Sequence, residues 1–180
     1  MAPDTTTADA VELVQLLDDR GRPCGTAPKA EVHHAQTPLH LAFSCWLFDD
    51  EGRTLVSRRA WSKRTWPGVL TNSFCGHPAP GEEPAAAVER RAPQELGTRV
   101  GGVRALLPDF RYRAVMADGT VENEVCPVFS ARLLGDPRPA QDEVAELRWM
   151  AMDELVAEVE RDPAVWSPWM RMQLEQIRAR

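Results

Sequence analysis

Thr71-Asn-Ser-Phe-Cys-Gly-His77, followed closely by Glu82-Glu-Pro-Ala-Ala-Ala-Val-Glu-Arg-Arg-Ala-Pro-Gln-Glu-Leu-Gly97, is the stretch on which the fold turns. Its first piece is a short segment after the Trp66-Pro67-Gly68 break, and it sets a thiol two residues before an imidazole. The second piece reads as a helix over residues 82–96. Glu82 and Glu83 suit the positive helix start, Pro84 suits the first turn, alanines follow, and Gly97 supplies the stop. Pro93 runs against this pattern, because proline inside a helix removes a donor and clashes with the preceding turn, at about 3 kcal/mol. The expectation is a helix ended early or bent beside Glu95.

Outward from this stretch the signals are mostly those of strands. Residues 11–17 are apolar enough for a first strand, ended by Asp18-Asp19-Arg20-Gly21. Residues 39–48 form an aromatic-rich apolar run closed by Asp49-Asp50-Glu51-Gly52, and residues 53–59 are expected to return as its hairpin partner. Residues 104–117 and 121–134 read as a long hairpin around Asp118-Gly119. A strand at 146–150 precedes helices at 152–160 and 167–178. Residues 1–9 are polar and expected to be a disordered tail before a single domain at 10–180. Strands in the middle with helices at the flanks imply a mixed α/β sandwich.

Composition narrows the functional classes. The chain has 180 residues, enough for one domain with a sizeable core. Hydrophobic residues at 43% and charged residues at 27% are the balance of a soluble globular protein. A net charge of −6 argues against nucleic acid as a partner, because phosphate contacts need a basic face. It leaves room for a small anionic substrate in a local basic pocket. No apolar run approaches the roughly 18 residues of a membrane span, and the start lacks a secretory pattern, so the expected location is cytoplasmic, with no membrane partner. Cys24, Cys45, Cys75 and Cys126 form no CxxC pair, so neither a zinc knuckle nor a disulfide framework is indicated.

Several residues have the chemistry of a site. Imidazole is the commonest transition-metal ligand and carboxylates often complete such sites, which draws attention to His33, His34, His40 and His77. Glu122-Asn123-Glu124 puts two carboxylates at i and i+2, on one face of a strand. Facing inward they would need a counter-charge such as a metal; facing outward they would be an ordinary solvated pair. Cys75 reads as a nucleophile, an acid or a small buried residue. Arg58, Arg59, Lys63 and Arg64, beside two tryptophans, form either a solvated face or a clamp for a diphosphate.

The stretch after Cys75 resembles a Nudix box, with Gly76, Glu82, Arg90, Glu95 and Gly97 at its spacing. Arg91 and Gln94 replace two further core acids, which makes Nudix diphosphate hydrolysis unlikely as the activity. The wider resemblance is to type I isopentenyl-diphosphate Δ-isomerases. It rests on Leu39-His-Leu-Ala-Phe-Ser44, Trp66-Pro-Gly68, Cys75-Gly-His-Pro78, Phe110-Arg-Tyr-Arg113, Glu122-Asn-Glu-Val-Cys-Pro-Val-Phe129 and Ser167-Pro-Trp-Met170. This resemblance implies a Nudix-like α/β/α sandwich with a mixed sheet and flanking helices. Its metal site falls on His33, His40, His77, Glu122 and Glu124 and would take Mg2+, Mn2+ or Zn2+. His33 is favoured over His34 by its distance from His40. The catalytic pair falls on Cys75 and Glu124, assisted by Tyr112. A second Mg2+, arriving with the diphosphate, falls on Glu95 and the carbonyl of Cys75. Lys29, Arg59, Lys63 and Arg91 line the diphosphate pocket, and Trp169 flanks the hydrocarbon. The implied activity is interconversion of isopentenyl and dimethylallyl diphosphates through a tertiary carbocation by a monomer or weak dimer. The alternatives are the same protonation chemistry on another prenyl diphosphate, a cyclisation included, and a degenerate scaffold that only binds a partner.

The resemblance also sets a register. A two-residue Asp118-Gly119 loop would place Arg113 opposite Glu124 and turn Tyr112 to the other face. A three-residue Ala117-Asp118-Gly119 loop pairs Tyr112 with Glu124, and needs a left-handed Gly119.

Overall fold

A computed structural model describes residues 11–180; the expected disordered tail at 1–9 lies outside the described residues. Among the described residues, twelve strands and three α-helices follow one another. The strands are β1 (Leu13–Leu17), β2 (Pro23–Pro28), β3 (His40–Leu41), β4 (Phe43–Leu47), β5 (Thr54–Arg59), β6 (Leu70–Thr71), β7 (Phe74–Gly76), β8 (Val100–Leu107), β9 (Arg111–Val115), β10 (Val121–Val125), β11 (Val128–Leu133) and β12 (Val144–Met150). Helix α1 (Pro84–Leu96) falls between β7 and β8, and α2 (Met152–Arg161) and α3 (Pro168–Arg178) close the chain. None of these helices is long and apolar enough to cross a membrane.

The strands form sheets in the orders β2-β1-β3-β10-β9, β7-β4-β11-β8 and β12-β5-β6. The first two are halves of one bent ladder. The apolar run at 39–48 passes from β3 to β4 across Ala42, and the β10–β11 run crosses Cys126-Pro127; both pairs, β3 with β10 and β4 with β11, are parallel. Ala42 N–H donates to Val125 O at 2.9 Å and Ser44 N–H to Pro127 O at 3.1 Å, carrying the ladder across the bend. Pro127 has no N–H to give, so the long hairpin is interrupted there into β8–β11 and β9–β10.

The expected pairing of residues 53–59 with the 39–48 run is not what forms. β4 already lies between β7 and β11 and has no free edge, so β5 pairs with β12 and β6 and meets the first run only at the Phe48–Thr54 bridge. The segment at 69–75 divides in two. β6 belongs with β5 and β7 with β4, and Asn72 and Ser73 tie the crossing down. Asn72 Nδ2 donates to Cys45 O at 2.9 Å, and Ser73 Oγ donates to Leu55 O at 2.6 Å.

Pro93 does not end α1. It lies exposed near the C-terminal end, and the helix closes normally where Gly97, at φ 66°, donates its N–H to Pro93 O at 3.0 Å. Ala87, Val88, Ala92 and Leu96 seat this helix on Phe43, Leu47, Leu55 and Phe74. On the other side Trp46, Val128 and Met150 pack with Leu155, Trp169, Met170 and Leu174 of α2 and α3. Helices thus cover both faces of mixed sheets, the α/β architecture anticipated. The β9–β10 turn has the three-residue form: Gly119 sits at φ 86°, Met116 N–H donates to Thr120 O at 2.8 Å, and Tyr112 pairs with Glu124.

Candidate active site

Strand alternation builds the centre. β10 turns Glu122 and Glu124 to the same buried face, β9 adds Tyr112 to it, and β3 adds His40. His77 follows the end of β7, and His33 comes from the loop between β2 and β3. One ligand atom each from His33, His40, His77 and Glu124 lies within 4.8 Å of all the others. Nε2 of His40, His77 and His33 stands 3.3, 3.4 and 3.8 Å from Glu124 Oε1, and none of these nitrogens has a hydrogen-bond partner. His34 points elsewhere, its Nδ1 accepting from Gln36 N–H. Glu122 shares the face but falls outside the four-donor group.

This arrangement fits a divalent metal. His40 Nδ1 faces the carbonyl of Pro38 at 3.0 Å, which can only accept, so its Nε2 is the lone-pair nitrogen directed at the cluster. Burial holds His77 down to about 4, with Glu124 opposing, so its ring is neutral at pH 7 and able to ligate. Three buried, unpartnered imidazole nitrogens around one carboxylate are costly without a cation and satisfied with one.

The phenol of Tyr112 lies 2.7 Å from Glu122 Oε2 and 2.9 Å from Glu124 Oε2. It has one proton to donate, shared between the two carboxyl groups. Burial, then the charge of Glu124, raises Glu122 above its ordinary value. Burial would raise Glu124 too, but the three imidazoles outweigh it and hold that carboxylate low. The pair is thus split, with Glu122 held above and Glu124 well below the usual carboxylate range.

Cys75 lies beside them. Burial pushes its thiol up to about 11, with Ser44, Asn72 and Arg59 opposing, so it is protonated at neutral pH. Ser44 Oγ is 3.3 Å and Asn72 Oδ1 3.5 Å from Sγ. Neither residue was assigned a role from the sequence, although both stand inside the quoted motifs.

His33, Cys75, His77, Tyr112, Glu122 and Glu124 border one cavity of about 620 Å³ that also reaches Lys29, Arg59, Lys63, Glu95 and Trp169, while His40, Ser44 and Asn72 stand behind its wall. Two of its cations, Lys29 and Lys63, are paired with carboxylates. Glu12 bridges Lys29 at 3.0 Å and Arg91 at 3.4 Å, Arg91 also pairs with Glu95, and Lys63 pairs with Glu143. Glu12 and Glu143 carried no signal in the sequence, since single acids on exposed segments are ordinary. Arg91 does not line the cavity but supports Glu95, which does. Arg59 differs from the others: it donates to the carbonyl of Thr65 at 2.9 and 3.1 Å and lies 5.7 Å over the ring of Trp169. It joins the cationic side of the cavity to the aromatic side.

The fold is that of a NUDIX-domain protein, and a family model described as NUDIX domain matches residues 38–170. Among solved structures, a crystal structure from Deinococcus radiodurans superposes with TM-score 0.70 at 19% identity, covering 93% of this chain and 98% of that one. A MutT NUDIX hydrolase from Burkholderia pseudomallei gives 0.61 at 25% identity over 77% of this chain and 98% of the other. Relatives closer in sequence carry a different name. The isopentenyl-diphosphate Delta-isomerase of Mycolicibacterium vanbaalenii is 58% identical over 172 residues, 96% of this chain and 93% of the relative. That of Clavibacter sepedonicus is 57% identical over 163 residues, 91% and 86%. The chain belongs to the isopentenyl-diphosphate Delta-isomerase family.

Proposed function

We propose that the protein interconverts isopentenyl diphosphate and dimethylallyl diphosphate, with Cys75 and Glu124 as the acid/base pair. The observation that carries this reading is one cavity holding a protonated thiol, an ionised carboxylate bonded to a buried phenol, an aromatic wall and a set of cations. Protonation of isopentenyl diphosphate at C4 places a positive charge on the tertiary carbon C3. Removal of a C2 proton then completes the shift of the double bond. One group donates and the other accepts, and the reverse reaction exchanges their roles. Tyr112, bonded to both Glu122 and Glu124, gives Glu124 a hydrogen-bonded path for its proton.

Trp169 and Tyr112, with ring centroids 5.9 Å apart, form an apolar wall that excludes water. Their faces would stabilise the cation by roughly 1–2 kcal/mol once it is desolvated. Lys29, Arg59 and Lys63 hold the diphosphate and so fix the hydrocarbon against the acid/base pair. His33, His40, His77 and Glu124, with Glu122 adjoining, would hold a divalent metal whose charge offsets the two buried carboxylates. Glu95 and the Cys75 carbonyl are the groups assigned to a Mg2+ ion that accompanies the diphosphate.

The test is incubation with isopentenyl diphosphate and Mg2+ in deuterated water. Isomerisation puts deuterium into the dimethylallyl product and the recovered substrate. Release of phosphate or pyrophosphate without label would refute the reading in favour of hydrolysis.

A further inference from the structure

We infer that Trp66 is a positioning residue that sets the aromatic wall of the cavity in register with the cation at its other side. The inference rests on the isomerase reading above and goes beyond it, since Trp66 does not itself line the cavity.

Among the described residues Trp66 is the one non-glycine residue with positive φ, at 44°. A bulky side chain is strained there, and the residue before a proline, as Trp66 is before Pro67, is further restricted. Such strain persists where the surroundings over-determine the conformation. Two contacts do so. The Trp66 ring meets Trp169 edge to face, centroids 5.5 Å apart and planes at 88°. One residue earlier, the Thr65 carbonyl accepts both Nε and Nη2 of Arg59. Beyond the turn Gly68, at φ 71°, lies under the ring of Trp61, where a Cβ would collide.

Relaxing φ at Trp66 would therefore swing its ring off Trp169 or turn the Thr65 carbonyl away from Arg59. Arg59 in turn stacks over Trp169, so the turn, the cation and the wall form a closed set of contacts. A substrate held by its diphosphate reaches the acid/base pair only if the wall stands at the correct distance from the clamp. The strained turn fixes that distance.

The test compares Trp66→Gly and Trp66→Phe with wild type by kcat and KM for isopentenyl diphosphate, per folded enzyme. Glycine accepts the positive φ and keeps the Thr65 carbonyl on Arg59 but removes the ring. The expected result is a kcat about tenfold lower with KM changed less than about twofold. Phenylalanine retains a ring against Trp169 and should stay within about threefold of wild-type kcat. In a Trp169→Ala background, Trp66→Gly should cost less than about twofold more, because it acts through Trp169. Equal losses in both backgrounds, a wild-type kcat in Trp66→Gly, or a loss confined to KM would overturn the inference. A wild type that does not isomerise the substrate overturns the functional reading and this one together, whereas an active wild type with an unaffected Trp66→Gly overturns this one alone.

Discussion

Removing a single imidazole tests the metal centre without relying on turnover. His77 offers a neutral ring to the four-donor group, held down to about 4 chiefly by burial, and neither of its nitrogens has a partner within the protein. A metal present at a hundred times its Kd stabilises the folded protein by about 2.7 kcal/mol. At this chain length each kcal/mol moves the melting temperature by roughly 2–4 °C, so saturating metal should raise Tm by roughly 5–11 °C over chelated protein. His77→Ala leaves three donors. If affinity falls about a hundredfold, the same metal concentration equals the new Kd, and the gain drops to about 0.4 kcal/mol, or roughly 1–2 °C. The assay is thermal unfolding at pH 7.5 of chelated protein titrated with Mn2+, Zn2+ or Mg2+. His34→Ala should leave the shift intact, because that ring bonds Gln36 outside the cluster. Equal shifts in wild type and His77→Ala, or none in wild type, would refute the reasoning.

Cys75→Ala should abolish deuterium incorporation with the fold retained, whereas Cys24→Ala, at an exposed position, should isomerise normally; turnover in the first variant would remove the thiol from the mechanism. Burial, assisted by Arg59, Lys29 and Arg91 and opposed by Glu95, lowers Lys63 to about 8. A lysine so depressed loses its charge as pH rises through that value, so kcat/KM should fall above pH 8 in wild type but not in Lys63→Arg; a limb unchanged by arginine would clear Lys63. Tyr112→Phe takes the phenol from between Glu122 and Glu124, at a cost of about 1–3 kcal/mol for the stranded oxygens and about a hundredfold or more in kcat. Near-normal kcat there would end the relay but leave the metal cluster standing.

Much of this site could be read from the sequence because it rests on strand alternation and short turns. Glu122 and Glu124 share a face by the period of two, and the left-handed Gly119 sets the register that brings Tyr112 to them. The partner of β5 could not be read that way. A tight turn at Asp49–Gly52 favours a hairpin locally, and only the long-range insertion of β4 between β7 and β11 prevents it. β2 escaped notice because Pro23, Gly25 and Pro28 argue against a strand, yet at a sheet edge their missing donor and missing side chain cost little. Pro93 misled in the same way, its cost being small at an exposed position in the last turns of α1. The carboxylates on the cavity cations were hidden for another reason: Glu12 and Glu143 reach Lys29 and Lys63 only after the fold has brought distant segments together.

The same scaffold carries hydrolases, and the difference lies one helical turn before Glu95. In a hydrolytic box, acids on this helix gather metal ions around a diphosphate so that water can attack phosphorus. Here Arg91 occupies one such place and pairs with Glu95 at i+4 on the buried side of α1. The remaining box acid is thus partly neutralised before any ion arrives, and Gln94 adds no charge. Glu12 extends the pairing from Arg91 to Lys29, so this side of the cavity is organised around cations. A diphosphate entering must take Lys29 and Lys63 from Glu12 and Glu143, while Arg59 already stands free of carboxylates, held by the Thr65 carbonyl and Trp169. In the proposed reaction the diphosphate is held by these cations and the reacting carbons lie on the other side of Arg59. There Cys75 and Glu124 border the cavity together with the rings of Tyr112 and Trp169. Arg91 in the place of an acid therefore acts through Glu95 and Glu12 and not by lining the cavity, and it removes charge that a hydrolytic metal site would need.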